Sequence, residues 1–164
     1  MIEDNGRIFV NNQLHYEDGK YTIDFEDFEK KIVDNNVKVF ILCNPHNPVG
    51  RVWTKEELEK MGDICLKHNV VIMDDEIHCD FTYPGFKFTS FMTLDEKYHN
   101  SLVLYTSPSK TFNVAGLQPA NIIIKNPELR AAYRKANAAA GYSQGSIMGQ
   151  VAVKSVYTKG DEWV

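Results

Sequence analysis

No run of apolar residues in this chain exceeds the five from Val39 to Cys43, far short of the ~18 that a membrane helix needs. Basic residues number 18 against 22 acidic ones, for a formal net charge of −4. With no cluster of Lys and Arg to neutralise phosphates, a nucleic-acid partner has no footing. Cysteine is scarce: Cys43, Cys65 and Cys79 are odd in number and lack CxxC spacing, so they frame neither a disulfide scaffold nor a zinc site. They read as buried or free thiols of a reducing compartment, the cytoplasm by default. The opening Met1-Ile2-Glu3-Asp4-Asn5-Gly6 has no basic segment and no apolar segment, so it is not expected to be a signal peptide. Missing as well are GxGxxG, GxxxxGK[ST] and HExxH. Those gaps remove support for a dinucleotide-binding Rossmann enzyme, a P-loop enzyme and a zinc protease.

What remains is ordinary globular material, 43% apolar and 24% charged over 164 residues, enough for one domain burying roughly 68–70% of its unfolded surface. Arg7–Val10 is predicted as a short strand followed by an irregular connection to Tyr21. Asp24 and Asp27 mark a helix start, with Phe25, Phe28 and Ile32 as its apolar stripe. Val37–Cys43 reads as a strand buried on both faces. Thr54 with Glu57 forms a capping box for a helix carrying Leu58, Met61 and Cys65 on one side and ending near His68-Asn69. Val70–Met73, Leu102–Thr106 and Ala120–Lys125 read as further strands, and Pro84-Gly85 as a turn between them. Helices are expected from Asn126 to about Ala140 and over Ile147–Tyr157. Strand–helix–strand order implies a right-handed βαβ unit. The expected fold is α/β, a three-layer α/β/α sandwich with a mostly parallel sheet and no internal division.

Three polar motifs each follow a predicted buried strand: Asn44-Pro-His-Asn-Pro-Val-Gly50, Asp74-Asp-Glu-Ile-His78 and Ser107-Pro-Ser-Lys-Thr-Phe-Asn113. Ligands of open α/β sheets bind outside the carboxyl ends of the strands. An amide, a carboxylate with a histidine, and a lysine flanked by hydroxyls therefore converge on one crevice, a set that suits an aromatic aldehyde cofactor carrying a phosphate. Lys110 is the sharpest candidate, since a lysine amine forms a Schiff base with a carbonyl and acts as a base once its pKa falls. Most loop lysines are only solvated charges; the company of Ser107 and Ser109 distinguishes this one. Asp75 is the candidate partner for a protonated pyridine nitrogen. Asp74 competes, but it lies on the opposite face of a strand running through both. His78 in isolation is a surface or packed histidine; in a crevice it reaches the cofactor's phenolic oxygen or stacks on a neighbour. Asn47 in Asn-Pro-Val-Gly is a turn residue on any reading, and a donor to a phenolate on this one. Metal binding by Asp74, Asp75, Glu76, His78 and Asp80 is the chemical rival, set back because successive strand residues alternate faces.

These stretches resemble the pyridoxal-5′-phosphate enzymes of the aspartate-aminotransferase fold (fold type I), and most closely the MalY/PatB branch of cysteine-S-conjugate (cystathionine) β-lyases. The residues that carry the resemblance are Cys43-Asn-Pro-His-Asn-Pro-Val-Gly-Arg-Val-Trp53, Asp75-Glu-Ile-His78 and Ser107-Pro-Ser-Lys-Thr-Phe-Asn-Val-Ala-Gly-Leu-Gln118. The resemblance implies Lys110 as Schiff-base lysine and catalytic base, Asp75 at the pyridine nitrogen, Asn47 at the phenolic oxygen, and Ser107 and Ser109 at the phosphate. His78 stands where many aminotransferases of the fold have a tyrosine. That difference, with the Gly-Arg-Val-Trp that follows the asparagine loop, favours the lyase branch. Gln118 stands where many carry a phosphate-binding arginine, which removes a charge-assisted contact.

The implied activity is β-elimination from cystathionine or a cysteine S-conjugate to thiol, pyruvate and ammonia, with pyridoxal 5′-phosphate as cofactor, an amino-acid substrate and no metal. A class I/II aminotransferase is the alternative. Family members are about twice this long or more and dimerise. The resemblance thus makes residues 1–164 a single partial large domain, without the N-terminal segment and the small C-terminal domain, from a protein that is a homodimer in full. A third expectation follows from that: a cofactor-docking piece that is not catalytic by itself.

Overall fold

The computed structural model describes residues 2–142 and 145–164. A four-stranded sheet in the order β3–β4–β5–β6 forms its centre: β3 (Val39–Cys43), β4 (Val71–Asp75), β5 (Leu102–Thr106) and β6 (Asn121–Ile123). The first three run parallel and β6 pairs antiparallel with β5. The sheet is thus mostly parallel, as expected for an α/β sandwich, with one reversed edge.

Helix α1 (Phe25–Asp34) starts where Asp24 accepts hydrogen bonds from the backbone N–H groups of Glu26 and Asp27, at 2.9 and 3.0 Å. Such a cap is worth about 1 kcal/mol. Helix α2 (Lys55–Lys67) opens on the complete Thr54–Glu57 capping box and links parallel β3 to parallel β4. Its Leu58, Met61 and Cys65 are fully buried. With Phe28 and Ile32 of α1 they meet Leu42, Ile72, Leu102 and Leu104, which project from one face of the sheet into a single core. Each such aliphatic side chain contributes about 1.5–3 kcal/mol on burial. Gly62 admits the rings of Tyr98 and Phe91 against α2; a Cβ there would fall 2.6 Å from Tyr98 Cε1.

The opposite face is more open: Val39 and Ile41 of β3 are about half exposed, at 45% and 54%. Helices α3 (Pro127–Ala139) and α4 (Ile147–Lys159) follow β6.

Three elements differ from the sequence expectation. Residues 7–10 form no strand, and Ile8 and Phe9 lie exposed. A two-stranded hairpin occupies the following stretch instead, β1 (His15–Glu17) with β2 (Lys20–Thr22), turning at Asp18-Gly19, both with positive φ. This is the pair a tight two-residue hairpin prefers. Finally β4 runs on to Asp75, so the paired acids belong to the strand rather than to the loop after it.

Candidate functional site

Register sets the crevice. Cys43, Asp75 and Tyr105 are aligned across the carboxyl ends of β3, β4 and β5, all partly buried on the more open face. Backbone bonds carry the ladder one step further, from Asn44 N–H to the Asp75 carbonyl and from Glu76 N–H to the Tyr105 carbonyl, both 2.9 Å. Three loops leave this edge together.

The first loop carries Asn47, which is exposed. A bridge between His46 and Arg51 closes the loop, with His46 N–H on the Arg51 carbonyl and Gly50 N–H on the His46 carbonyl, each 2.7 Å. The Asn47 backbone N–H meets Cys43 Sγ at 3.4 Å, and burial pushes that thiol's pKa up.

At the end of β4, where the second loop begins, Asp75 accepts the Ile77 N–H through Oδ1 at 3.1 Å. His78 is partly buried, with its ring 6.0 Å from that of Phe81. Beside them is a feature that sequence reasoning passed over. Asp74 and Glu76 are almost wholly buried, at 0% and 2% exposure. Neither carboxylate oxygen of Asp74 has a hydrogen-bond partner among the described residues, while Glu76 accepts the Phe91 N–H at 2.8 Å. Burial first, and the neighbouring Glu76 charge second, raise the Asp74 pKa well above the ordinary carboxylate value; burial raises Glu76 as well. Asp74 is sealed behind the strand, and Asp75 is the acid that faces the crevice. The signal in the sequence was the strict alternation of a strand, once the strand is known to reach Asp75.

The third loop carries Ser107, Ser109 and Lys110. Ser107 Oγ accepts the Ser109 N–H at 3.0 Å and lies 2.7 Å from Ser109 Oγ and 2.5 Å from the Pro119 carbonyl. Ser109 Oγ reaches the same carbonyl only at 3.4 Å, so its hydrogen is the freer to turn toward an anion. Lys110 is exposed, and its amine has no hydrogen bond or ion pair among the described residues. Next to it Thr111 is buried, gives its hydroxyl to Asp80 at 2.6 Å, and accepts the Trp163 indole N–H on its carbonyl at 2.8 Å. Both of its neighbours' partners anchor the loop while the lysine stays free.

The donor set fits a planar cationic heterocycle with an aldehyde, a phenolic oxygen and a phosphate: one free amine, one crevice carboxylate, one exposed amide and two hydroxyls. It does not fit a metal. Among the described residues no group of three or more His, Cys, Asp or Glu could hold an ion. A cavity of about 940 Å³ lies elsewhere, between the N-terminal segment and β3, and none of Asn47, Asp75, His78, Ser107, Ser109 or Lys110 lines it. No helix among the described residues is long and apolar enough to cross a membrane.

Residues 2–163 match the family model for aminotransferase class I and II. The whole chain is 43% identical to cystathionine β-lyase PatB of Bacillus subtilis, covering 42% of that protein. Among solved structures, cystalysin of Treponema denticola, which contains a pyridoxal 5′-phosphate cofactor, superposes with a TM-score of 0.95 at 41% identity, over 99% of this chain and 41% of cystalysin. The pyridoxal-phosphate-bound C–S lyase of Staphylococcus hominis superposes with a TM-score of 0.87 at 35% identity, over 98% of this chain and 40% of that one. The chain spans about two fifths of the length of these relatives.

Proposed function

Since the chain belongs to the class I and II aminotransferase family, we propose that it carries the cofactor-binding centre of a pyridoxal-phosphate-dependent carbon–sulfur β-lyase. What supports this reading is that Asn47, Asp75 and an unpaired Lys110 lie at or just beyond the carboxyl ends of three adjacent parallel strands. When bound, the cofactor supplies an electron sink for the charge left by loss of an α-proton.

The chain's own residues do the rest. Lys110 would hold the cofactor through its aldehyde carbon, and its amine, once displaced, would take the α-proton of the substrate. Asp75 keeps the ring-nitrogen proton in place through a charge-assisted bond. Asn47 gives an amide N–H to the phenolic oxygen, and His78, on the loop that follows Asp75 and β4, flanks that side. Ser109, with Ser107 behind it, turns to the phosphate. Substrates are cystathionine or another cysteine S-conjugate, and the products are thiol, pyruvate and ammonia. A homodimer in a reducing, cytoplasmic setting suits both the family likeness and three unpaired thiols.

Titration with pyridoxal phosphate tests this. A visible absorption band in the parent that disappears in Lys110→Ala supports the site, and no band in a folded parent overturns it. Transamination is the second reading, favoured by the family description itself. Thiol release from cystathionine without an added keto acid selects the lyase. A band without either activity selects a docking piece.

A further inference from the structure

The Gly50-Arg51-Val52-Trp53 stretch follows the Asn47 loop but touches none of the candidate chemistry directly. Its side chains nevertheless converge. The Arg51 guanidinium donates to the Tyr21 carbonyl of the β1–β2 hairpin and to the Glu57 carboxylate, and it lies 4.1 Å from the centre of the Trp53 ring. Arg51 and Glu57 are both about four-fifths buried, at 19% and 21% side-chain exposure. Glu57 is doubly committed, since the same Oε2 accepts the Thr54 N–H at 2.8 Å in the capping box. Trp53, 2% exposed, gives its indole N–H to the Cys43 carbonyl at 2.9 Å. On the other side Arg51 offers its own carbonyl to His46 N–H, and Cys43 its sulfur to Asn47 N–H. Hairpin, helix N-terminus and strand end thus meet on one guanidinium, at the base of the loop that carries Asn47. Burial and the Arg51 charge both lower the His46 pKa, so the imidazole inside the loop stays neutral beside that cation.

We propose that Arg51 is a positioning residue for Asn47: gripped by Tyr21, Glu57 and Trp53, it holds the loop in its cofactor-ready shape before any cofactor arrives. This rests on the reading of Asn47 as a cofactor ligand. A planar fork is required because a single ammonium cannot serve a carbonyl, a carboxylate and a ring face at once. A loop set in advance binds more tightly because less order has to be created on binding.

Amide hydrogen exchange in the cofactor-free protein reads the loop directly through His46, Asn47 and Gly50. In Arg51→Gln these three amides are expected to exchange about tenfold faster, while those of Asn44 and Glu76, bonded across the strand ends, keep the parent rate. Trp53→Phe keeps a ring under the guanidinium and loses the bond to Cys43. It serves as the milder variant should Arg51→Gln fail to fold, with the same three amides quickened by about threefold. In parallel, the dissociation constant for pyridoxal phosphate is expected to rise about tenfold in Arg51→Gln. Unchanged loop exchange, acceleration spread evenly over the sheet, or a faster loop with unaltered cofactor affinity would each overturn the positioning role. Failure of the underlying reading shows separately, as a parent that takes up no pyridoxal phosphate; Arg51 is then a brace of the loop and no more.

Discussion

On the helix-covered face of the sheet Asp74 shares its side with Leu42, Ile72 and Leu104 and is completely buried, whereas Asp75, one residue on, sits partly open beside Cys43 and Tyr105. Residue type is the same and sequence distance is one; only the pleat separates them. A carboxylate buried without hydrogen bonds costs several kcal/mol if it stays charged, so it protonates. The same acid on the open face leaves its carboxyl within reach of a ligand. Environment, assigned by strand alternation, decides which of two identical side chains does chemistry.

The contrast is most strongly broken by emptying the sealed face. Ile72 is fully buried beneath α2, and Ile72→Ala is expected to cost about 2–5 kcal/mol, measured by urea unfolding. The next effect has the opposite sign. Because the folded-state pKa of Asp74 is raised above 3.8, its favourable contribution is fully present below that value and is lost as pH climbs through the folded-state pKa. Asp74→Asn cannot ionise. It is expected to match the parent near pH 4 and to exceed it by about 1–3 kcal/mol at pH 8, in unfolding curves taken across that range. Equal stabilities at both pH values would mean that the carboxyl titrates alike in the folded and unfolded chain, against the raised folded-state pKa. The smallest change in stability belongs to Asp75→Asn, expected within about 0.5 kcal/mol of the parent, because its one hydrogen bond, from Ile77 N–H, survives in an amide. Its effect falls instead on the cofactor band, which should weaken.

Much of this was legible in the order of residues. The Val37–Cys43 stretch and the Thr54–Glu57 box marked β3 and the start of α2 to within two residues, because a dense apolar run and capping chemistry leave strong local signals; the expected burial of that strand on both faces does not hold, since Val39 and Ile41 are about half exposed. Leu102–Thr106 coincides with β5. The reversed direction of β6 was not legible, since a strand of three residues, Asn121-Ile122-Ile123, carries no sign of its direction. The β1–β2 hairpin was missed although Asp18-Gly19 announces such a turn; its strands are three residues each and mostly exposed, with no apolar alternation to flag them. Positions 7–10 failed for the converse reason, since apolar Ile8 and Phe9 lie exposed and pair with no strand. Around the crevice, the three motifs and the opposite orientations of Asp74 and Asp75 could be anticipated from strand ends and period. Arg51's grip on Tyr21 could not, because those residues lie 30 apart in sequence and meet only through tertiary packing.

The two tryptophans of the chain divide between the two loops that bracket Asp75. Trp53 is sealed beneath the asparagine loop at 2% exposure, while Trp163, at 67%, hangs by its indole N–H from the carbonyl next to Lys110. Intrinsic fluorescence therefore contains two spectrally separable reporters, a blue-shifted, quencher-resistant one for the amide side of the crevice and a red-shifted, quencher-accessible one for the lysine side. Replacing either indole leaves a single-colour probe of the other loop.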